Sequence, residues 1–509
     1  MPLTDASSPT APSRRTAAAR ERGARLAGRV ERLATPAGAL ALLSLAALGV
    51  LAVFLLRPTY PNYDSYYTLL WGRDLAAGRL PDYDVLRTPT PHPLATALAA
   101  LLSPLGGSAD RALVLISLSS WVALVALLFR FAQKLLGTLV GLAAVAVLLT
   151  RTDLEFFALR AVVDVPFLAL VFGAAVLELG RPRRGLPVLV LLVLAGLLRP
   201  EAWILSGAYV LWASWGAGWT TFLRYAALAA VAPLGWALSD WIVTGEPLYS
   251  LTSTREVAGQ FKRQRTVGEA LLLLPDYVGA NEKVVNVVSG GLGGLLALWL
   301  LRARAALPLA LAGIGVAVFL AIAAVGLSVI PRYLAIPSLI LNLCVALSLT
   351  GWVLLRSRAG RGAAVALALF SLVLVAWRTP SYLKDASVLN SQAVFVRDQH
   401  RGLSAVLADP AVERLIRTCG PITVPTHSTM PVVRFETGVA KERLQASIAQ
   451  DAPPQRGLLL IGRTFNFEPT AARSTAGTGR SAQRWWSNYP LSSFRPVRRN
   501  AFWSLWENC

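Results

Sequence analysis

The chain has 509 residues, of which 55% are hydrophobic and 15% charged, with a formal net charge of +21. That is too apolar for a soluble globule and too long for one core, so the bilayer is the main solvent. The basic excess does not mark a nucleic-acid stripe: Lys and Arg fall in short clusters between long apolar runs, the pattern of cytoplasmic loops, and no nucleic-acid partner is expected.

In chain order, residues 1–36 are rich in Ala, Ser, Pro and Arg and read as a disordered cytoplasmic tail. The apolar run 37–56 is long enough to span and has no A-x-A cleavage site behind it, so it reads as a retained first helix. With Arg14 to Arg32 inside, the loop 57–110 is extracytoplasmic, and its short apolar segment from Pro93 to Leu105 reads as a juxtamembrane helix. Later runs are oriented by Arg130 and Lys134, by Arg181, Arg183 and Arg184, by Arg302 and Arg304, and by Arg356, Arg358 and Arg361, all placed inside. One alternation satisfies them. It predicts about eleven helices, at 37–56, 111–131, 138–150, 161–179, 185–198, 201–217, 222–243, 285–301, 306–329, 333–355 and 363–377, with the C-terminus outside.

The expected fold is therefore an all-α polytopic membrane module over 37–377, with a second large outer loop at 244–284. A small extracytoplasmic α/β or α+β domain follows at 378–509. In that domain Gly457 to Ile461 reads as a strand and Ser387 to Ala408 as a helix. Cys419 and Cys509 both lie there, where an oxidising compartment allows them to pair, whereas Cys344 sits in an apolar run. The closing aromatics Trp485, Trp486, Phe494, Phe502, Trp503 and Trp506 read as core or as a surface for glycan or lipid headgroup.

Polar residues that played no part in building this topology sort to the outer face. Among them are Asp64, Asp82, Asp84, His92, Arg160, Asp164, Arg199, Glu201 and Arg332, with Tyr333 beside the last. They gather at helix ends and not along a mid-membrane path, which favours an enzyme over a transporter or flippase. The first outer loop carries Tyr60-Pro-Asn-Tyr-Asp64-Ser-Tyr-Tyr67 and, further on, His92 between two prolines; later come Arg160-Ala-Val-Val-Asp164-Val-Pro166, Leu198-Arg199-Pro-Glu201-Ala-Trp203 and Pro331-Arg332-Tyr333-Leu334.

On these motifs the first ten or so helices resemble the GT-C superfamily of membrane glycosyltransferases. That superfamily includes the protein O-mannosyltransferases, the aminoarabinose transferases and the actinobacterial mannosyl- and arabinosyltransferases. The resemblance implies transfer of a sugar, with inversion, from a polyprenyl-phosphate donor to a cell-envelope glycan, lipid or protein acceptor. It also implies a bacterial cytoplasmic membrane location with the site on the extracytoplasmic face, and leaves a divalent cation open. A lone Asp64 stands where many relatives carry an acidic pair. A lipid-linked oligosaccharide ligase or polymerase, sharing this architecture, is the alternative enzyme.

The chemistry explains the residue types. An acceptor hydroxyl needs a carboxylate to take its proton as it attacks the anomeric carbon, and Asp64 is the candidate; capping of the Ser65 to Ala77 segment is its other reading. Asp82 and Asp84 are alternative bases or turn residues after Pro81. His92 contacts donor phosphate or orders the turn. The leaving lipid phosphate calls for a cation: Arg332 first, then Arg199 and Arg160, each with interfacial snorkelling as the alternative. Asp164 and Glu201 read as caps, as ion-pair partners of Arg160 and Arg199, or as acceptor ligands. The basic stretch Thr252 to Arg265, with Arg255, Lys262, Arg263 and Arg265, is expected to be a disordered or mobile loop that closes over an anionic lipid.

Overall fold

The computed structural model describes residues 36–450, 454–463 and 491–509. The expected N-terminal tail lies outside these but for Pro36, as do Trp485 and Trp486. Helix α1 (Pro36–Leu56) has 21 residues without a charge, and residues up to Leu56 form one unit and those from Arg57 onward another.

The second unit opens with α2 (Tyr63–Ala76), α3 (Pro93–Leu102), α4 (Ala109–Leu136), α5 (Thr138–Leu149) and α6 (Thr152–Leu159). It continues through α7 (Asp164–Gly180), α8 (Leu186–Leu198), α9 (Glu201–Ser214), α10 (Trp219–Thr244), α11 (Tyr249–Gln260) and α12 (Val267–Glu282). Then follow α13 (Val284–Leu301), α14 (Ala306–Ala324), α15 (Ala335–Thr350) and α16 (Arg358–Leu407). Among the described residues five helical stretches are long and apolar enough to cross a membrane: Pro93–Leu136, Trp219–Thr244, Val284–Ala324, Pro331–Leu354 and Arg358–Leu407. A sixth is added if α6 and α7, bent by 114°, count as one. The chain is a multi-pass membrane protein.

That number is lower than the eleven expected: α13 and α14, expected as two spans, fall in the one stretch Val284–Ala324, and three other expected spans are short helices. Helices α5, α8 and α9 have 12, 13 and 14 residues, about 18–21 Å at 1.5 Å per residue, short of a hydrocarbon layer of about 30 Å. Each packs one face, with Val140, Ala144, Leu189, Ala195 and Ala202 fully buried, and leaves another open, with Leu142, Leu186 and Leu211 exposed. The helix expected after Pro93 is present, and two further expectations change. The segment after Pro93 is α3, followed by a short helix through Ser108, kinked at Gly106 (φ 56°), that leads into α4. The basic stretch is α11 and the turn after it, so the expected mobile loop is mostly helical. The expected break at 377/378 falls inside α16, a single helix of 50 residues with Pro380 within it.

The most extensive helix pairing joins α13 to α15. Glycine makes it possible: a Cβ on Gly293 would overlap the carbonyl oxygen of Cys344, and one on Gly290 would meet the Leu341 side chain. Gly293→Ala should therefore cost about 1–3 kcal/mol through overpacking against backbone. Gly294→Ala, whose Cβ meets only Cys344 Sγ at 3.8 Å, should be neutral or stabilising through helix propensity. The fraction of each protein staying monodisperse in detergent after a heat step checks the contrast.

The far half of α16 holds the C-terminal sheet. Trp503 Nε1 donates to Gln399 O at 2.7 Å, Asn500 Nδ2 to Gly402 O at 2.7 Å, and Phe395 packs edge-on to Phe502. The sheet contains β1 (Ile422–Val424), β2 (Leu444–Ala446), β3 (Gly457–Gly462), β4 (Arg495–Arg499) and β5 (Trp503–Asn508), in the order β2-β1-β3-β5-β4. Its first three strands are parallel and the pairs β3/β5 and β4/β5 antiparallel. Helices α17 (Pro410–Thr418) and α18 (Met430–Thr437) complete this region. Cys419 and Cys509 form a disulfide, with a Cα–Cα distance of 5.3 Å, that ties the last residue to the end of α17. Phe494 and Trp503 are buried, as core aromatics would be.

Candidate functional site

The site begins where residues 60–65 run along the turn between α6 and α7. Tyr60 N donates to Leu159 O at 3.2 Å, Asn62 N to Arg160 O at 2.9 Å, and Ser65 Oγ to Ala161 O at 2.8 Å. Ala161 holds φ at 55°, a left-handed conformation that a residue with a Cβ rarely adopts and that persists only where surroundings impose it. This zipper brings Asp64 to the turn that ends at Asp164.

Asp64 is not a cap. The cap of α2 is Asn62, whose Oδ1 accepts from Ser65 N at 2.8 Å, and Asp64 stands in the first turn. Its carboxylate makes no hydrogen bond or ion pair among the described residues. Burial pushes its pKa up, and Arg332 opposes that most among the neighbouring charges, with Arg160 and Arg263 acting in the same sense and Asp164 in the opposite one. A carboxylate with no protein partner, within the field of three guanidinium groups, has lone pairs left for a ligand.

Beside it lies a buried ion network. Arg199, 6% exposed, pairs with Asp164 and with Glu201, which are 2% and 9% exposed. Its guanidinium also lies over the Tyr333 and Phe167 rings, 5.0 and 5.3 Å from their centroids. Asp164 thus pairs with Arg199 and not with Arg160. Arg160 instead lies over Phe156 and Tyr60, at 4.9 and 5.4 Å, and its Nε has no partner. Arg332 differs from Arg199: its side chain is 34% exposed, it approaches Asp164 only to 3.9 Å, and its Nε is unpartnered. Asp164, Glu201, Arg199, Arg332 and Tyr333 line one cleft with Ile336.

His92 precedes α3 and stands edge-on to Trp236, with Nδ1 buried and unpartnered. Burial, then the charge of Arg199, lowers its pKa to about 3. It is neutral at pH 7, and a hydrogen bond to the Leu198 backbone takes up its one N–H.

Asp82 and Asp84 lie elsewhere. Lys441 Nζ donates to Asp82 at 2.8 Å and reaches Asp84 at 3.3 Å, and Arg434 approaches Asp82 to 3.8 Å. Together with Arg73 over the Phe435 ring at 4.6 Å, these contacts fasten the C-terminal region to α2. As turn residues after Pro81 they tie the first loop to the region around Lys441 and Arg434, and the structure does not bring them to Asp64.

Beyond Arg263 stands a wall that includes residues outside the expected site. Arg263 and Arg87 stack on Phe261, at 4.7 and 4.8 Å, and Arg87 Nη1 lies 3.2 Å from His427 Nδ1. His427 is edge-on to Tyr63, and burial, then Arg87, lowers its pKa to about 4. The signal for Arg263 was its place in a basic cluster on the outer side; for His427, hundreds of residues from Tyr63, there was none.

A cation is poorly served here. Asp164 and Glu201 share Arg199, whose positive charge opposes a second cation. Among the described residues no cluster of three or more His, Cys, Asp or Glu side chains suits a metal ion.

No protein-family model and no curated protein matches the sequence. Among solved structures the chain is similar to ArnT from Cupriavidus metallidurans in the apo state. The match has 17% identity and a TM-score of 0.45, over 93% of this chain and 98% of that one. It is also similar to the Archaeoglobus fulgidus oligosaccharyltransferase tethered with an acceptor peptide containing the NVT sequon via a disulfide bond. There the identity is 12% and the TM-score 0.43, over 80% of this chain and 64% of that one.

Proposed function

We propose that this chain is a membrane glycosyltransferase that moves a sugar from a polyprenyl-phosphate donor to a cell-envelope acceptor, on the extracytoplasmic face of a bacterial cytoplasmic membrane. The observation that carries the reading is the Asp64 carboxylate, unpaired and set among Arg332, Arg160 and Arg263. In this reading Asp64 takes the proton of an acceptor hydroxyl while that oxygen bonds to the anomeric carbon. The bond from that carbon to phosphate breaks on the opposite side, giving inversion, and the electron pair leaves with the lipid phosphate. Arg332, partly exposed and incompletely paired, meets the charge developing there. Arg199, its capacity taken up by Asp164 and Glu201, acts as a positioning residue that holds the entries to α7 and α9 and the Tyr333 ring.

A membrane assay with a labelled polyprenyl-phospho-monosaccharide tests the proposal. Transfer of label to envelope material supports it; transfer of preassembled chains alone favours the ligase, and movement of intact lipid-linked sugar without transfer favours the flippase. The pH profile is a further expected result. A base must be ionised, and burial raises the Asp64 pKa. The acid limb of transfer should therefore have its midpoint above the value of about 3.9 for an ordinary aspartate. A limb at or below that value would show that another group is the base.

A further inference from the structure

Away from this site, an apolar cavity of about 240 Å³, open to the surroundings, lies among α13, α14 and α15. That is less than the about 300–1,000 Å³ of pockets that enclose a whole small molecule, and suits part of a chain that extends beyond it. The glycines of α13 divide between two tasks. Gly290 and Gly293 let α15 approach, whereas Gly291 and Gly294 line the cavity: a Cβ on Gly291 would meet nothing within 4 Å, and one on Gly294 only Cys344 Sγ at 3.8 Å. The mouth opens sideways. Leu295, Leu298 and Leu309 all line it and are 66%, 46% and 54% exposed, which places it where lipid chains lie, in helices apolar enough to span.

The charge at its end identifies the occupant. Leu301 and Ala305 both line the cavity, and between them Arg302 and Arg304 are exposed on the turn joining α13 to α14. An apolar slot open to hydrocarbon with two free guanidinium groups at one end matches a molecule with an acyl chain and a phosphate. We propose that this cavity binds an anionic phospholipid of the bilayer, one acyl chain lying against Gly291 and Gly294 and its phosphate held by Arg302 and Arg304. Cys344, the cysteine outside the disulfide, also lines the slot. The site takes no part in the transfer chemistry, so the two proposals stand or fall separately.

Native mass spectrometry of the full chain in detergent tests it, with phosphatidylglycerol, phosphatidylcholine of matched chains, polyprenyl phosphate and inorganic phosphate as probes. One phosphatidylglycerol should be retained about tenfold more strongly than phosphatidylcholine, with no competition from inorganic phosphate. It should also protect Cys344 from an apolar maleimide. Arg302→Gln with Arg304→Gln should abolish the preference between the two lipids. Gly294→Leu, which fills the slot, should weaken both lipids about tenfold and leave sugar transfer unchanged; if that protein fails to accumulate, Gly291→Leu makes the same test. Equal retention of the two lipids, or lipid binding unchanged in the filled variants, would overturn the proposal. So would polyprenyl phosphate retention that the filled variants abolish, which would make the slot a seat for that lipid, or a dimer that the filled variants convert to monomer, which would make it an interface between copies.

Discussion

Asp64→Asn protein should accumulate in membranes at the level of the unaltered chain while its sugar transfer falls by about two to four orders of magnitude. The two halves of that result have separate causes. Asparagine keeps the size and polarity of the side chain and leaves the cap of α2, which belongs to Asn62, intact; it removes only the ability to accept a proton. The stability effect has a definite sign. Burial raises the pKa of Asp64 in the folded chain, so the folded state holds its proton more tightly than the unfolded one. Stability then falls as pH rises from the ordinary aspartate value through the raised one, and at neutral pH the ionised carboxylate is a cost to folding that Arg332 only partly offsets. Asp64→Asn should therefore unfold at the same or a higher temperature at pH 7. Transfer retained at normal protein level would remove Asp64 as the base; a lower unfolding temperature would show that the carboxylate serves the fold.

The second large effect is of the opposite kind. Arg199→Met should deplete the protein from membranes, because it leaves Asp164 and Glu201 as uncompensated buried carboxylates, a loss of about 3–5 kcal/mol. The compensated variant Arg199→Met with Asp164→Asn and Glu201→Gln should recover most of the protein, since the cost lies in unpaired charge and not in lost packing. Steady-state level and detergent heat stability of the two proteins measure it. If the compensated protein were as depleted as the single variant, the stacking of Arg199 on Tyr333 and Phe167 would be what holds this region.

The zipper of residues 60–65 against 159–161 explains why these two residues behave so differently. Both sit beside a helix terminus in the sequence, and both lie near other charges. Arg199 is saturated by Asp164 and Glu201, whereas the turn at Ala161 delivers Asp64 to a place where its neighbours are guanidinium groups at a distance and no donor reaches it. Residue type and spacing show that a carboxylate and an arginine are present at helix ends, but not which of them is already paired.

Some features were legible without coordinates because they are local. The apolar runs, the strand from Gly457 and the clustering of Arg199, Asp164, Glu201 and Arg332 at helix ends follow from hydropathy, strand propensity and charge, properties of short segments read one at a time. The number of spans was not: α5, α8 and α9 lie close to the runs expected, but a hydropathy window registers apolarity without requiring the length of a full crossing. The junction of the two regions was hidden for a related reason, since the polar stretch after Arg378 looks like a new domain while the backbone hydrogen bonds of α16 run through it. Local composition and charge are enough for a multi-pass helical chain with an acidic residue beyond its first helix and arginines at later helix ends. Only the tertiary structure decided that Asn62 frees Asp64 from capping, that Asp82 and Asp84 are held by Lys441, and that Arg263 and His427 form a wall beside Tyr63. Each of those is a pairing between groups far apart in the chain, and such pairings are fixed by how the helices pack and not by any property of the segments themselves.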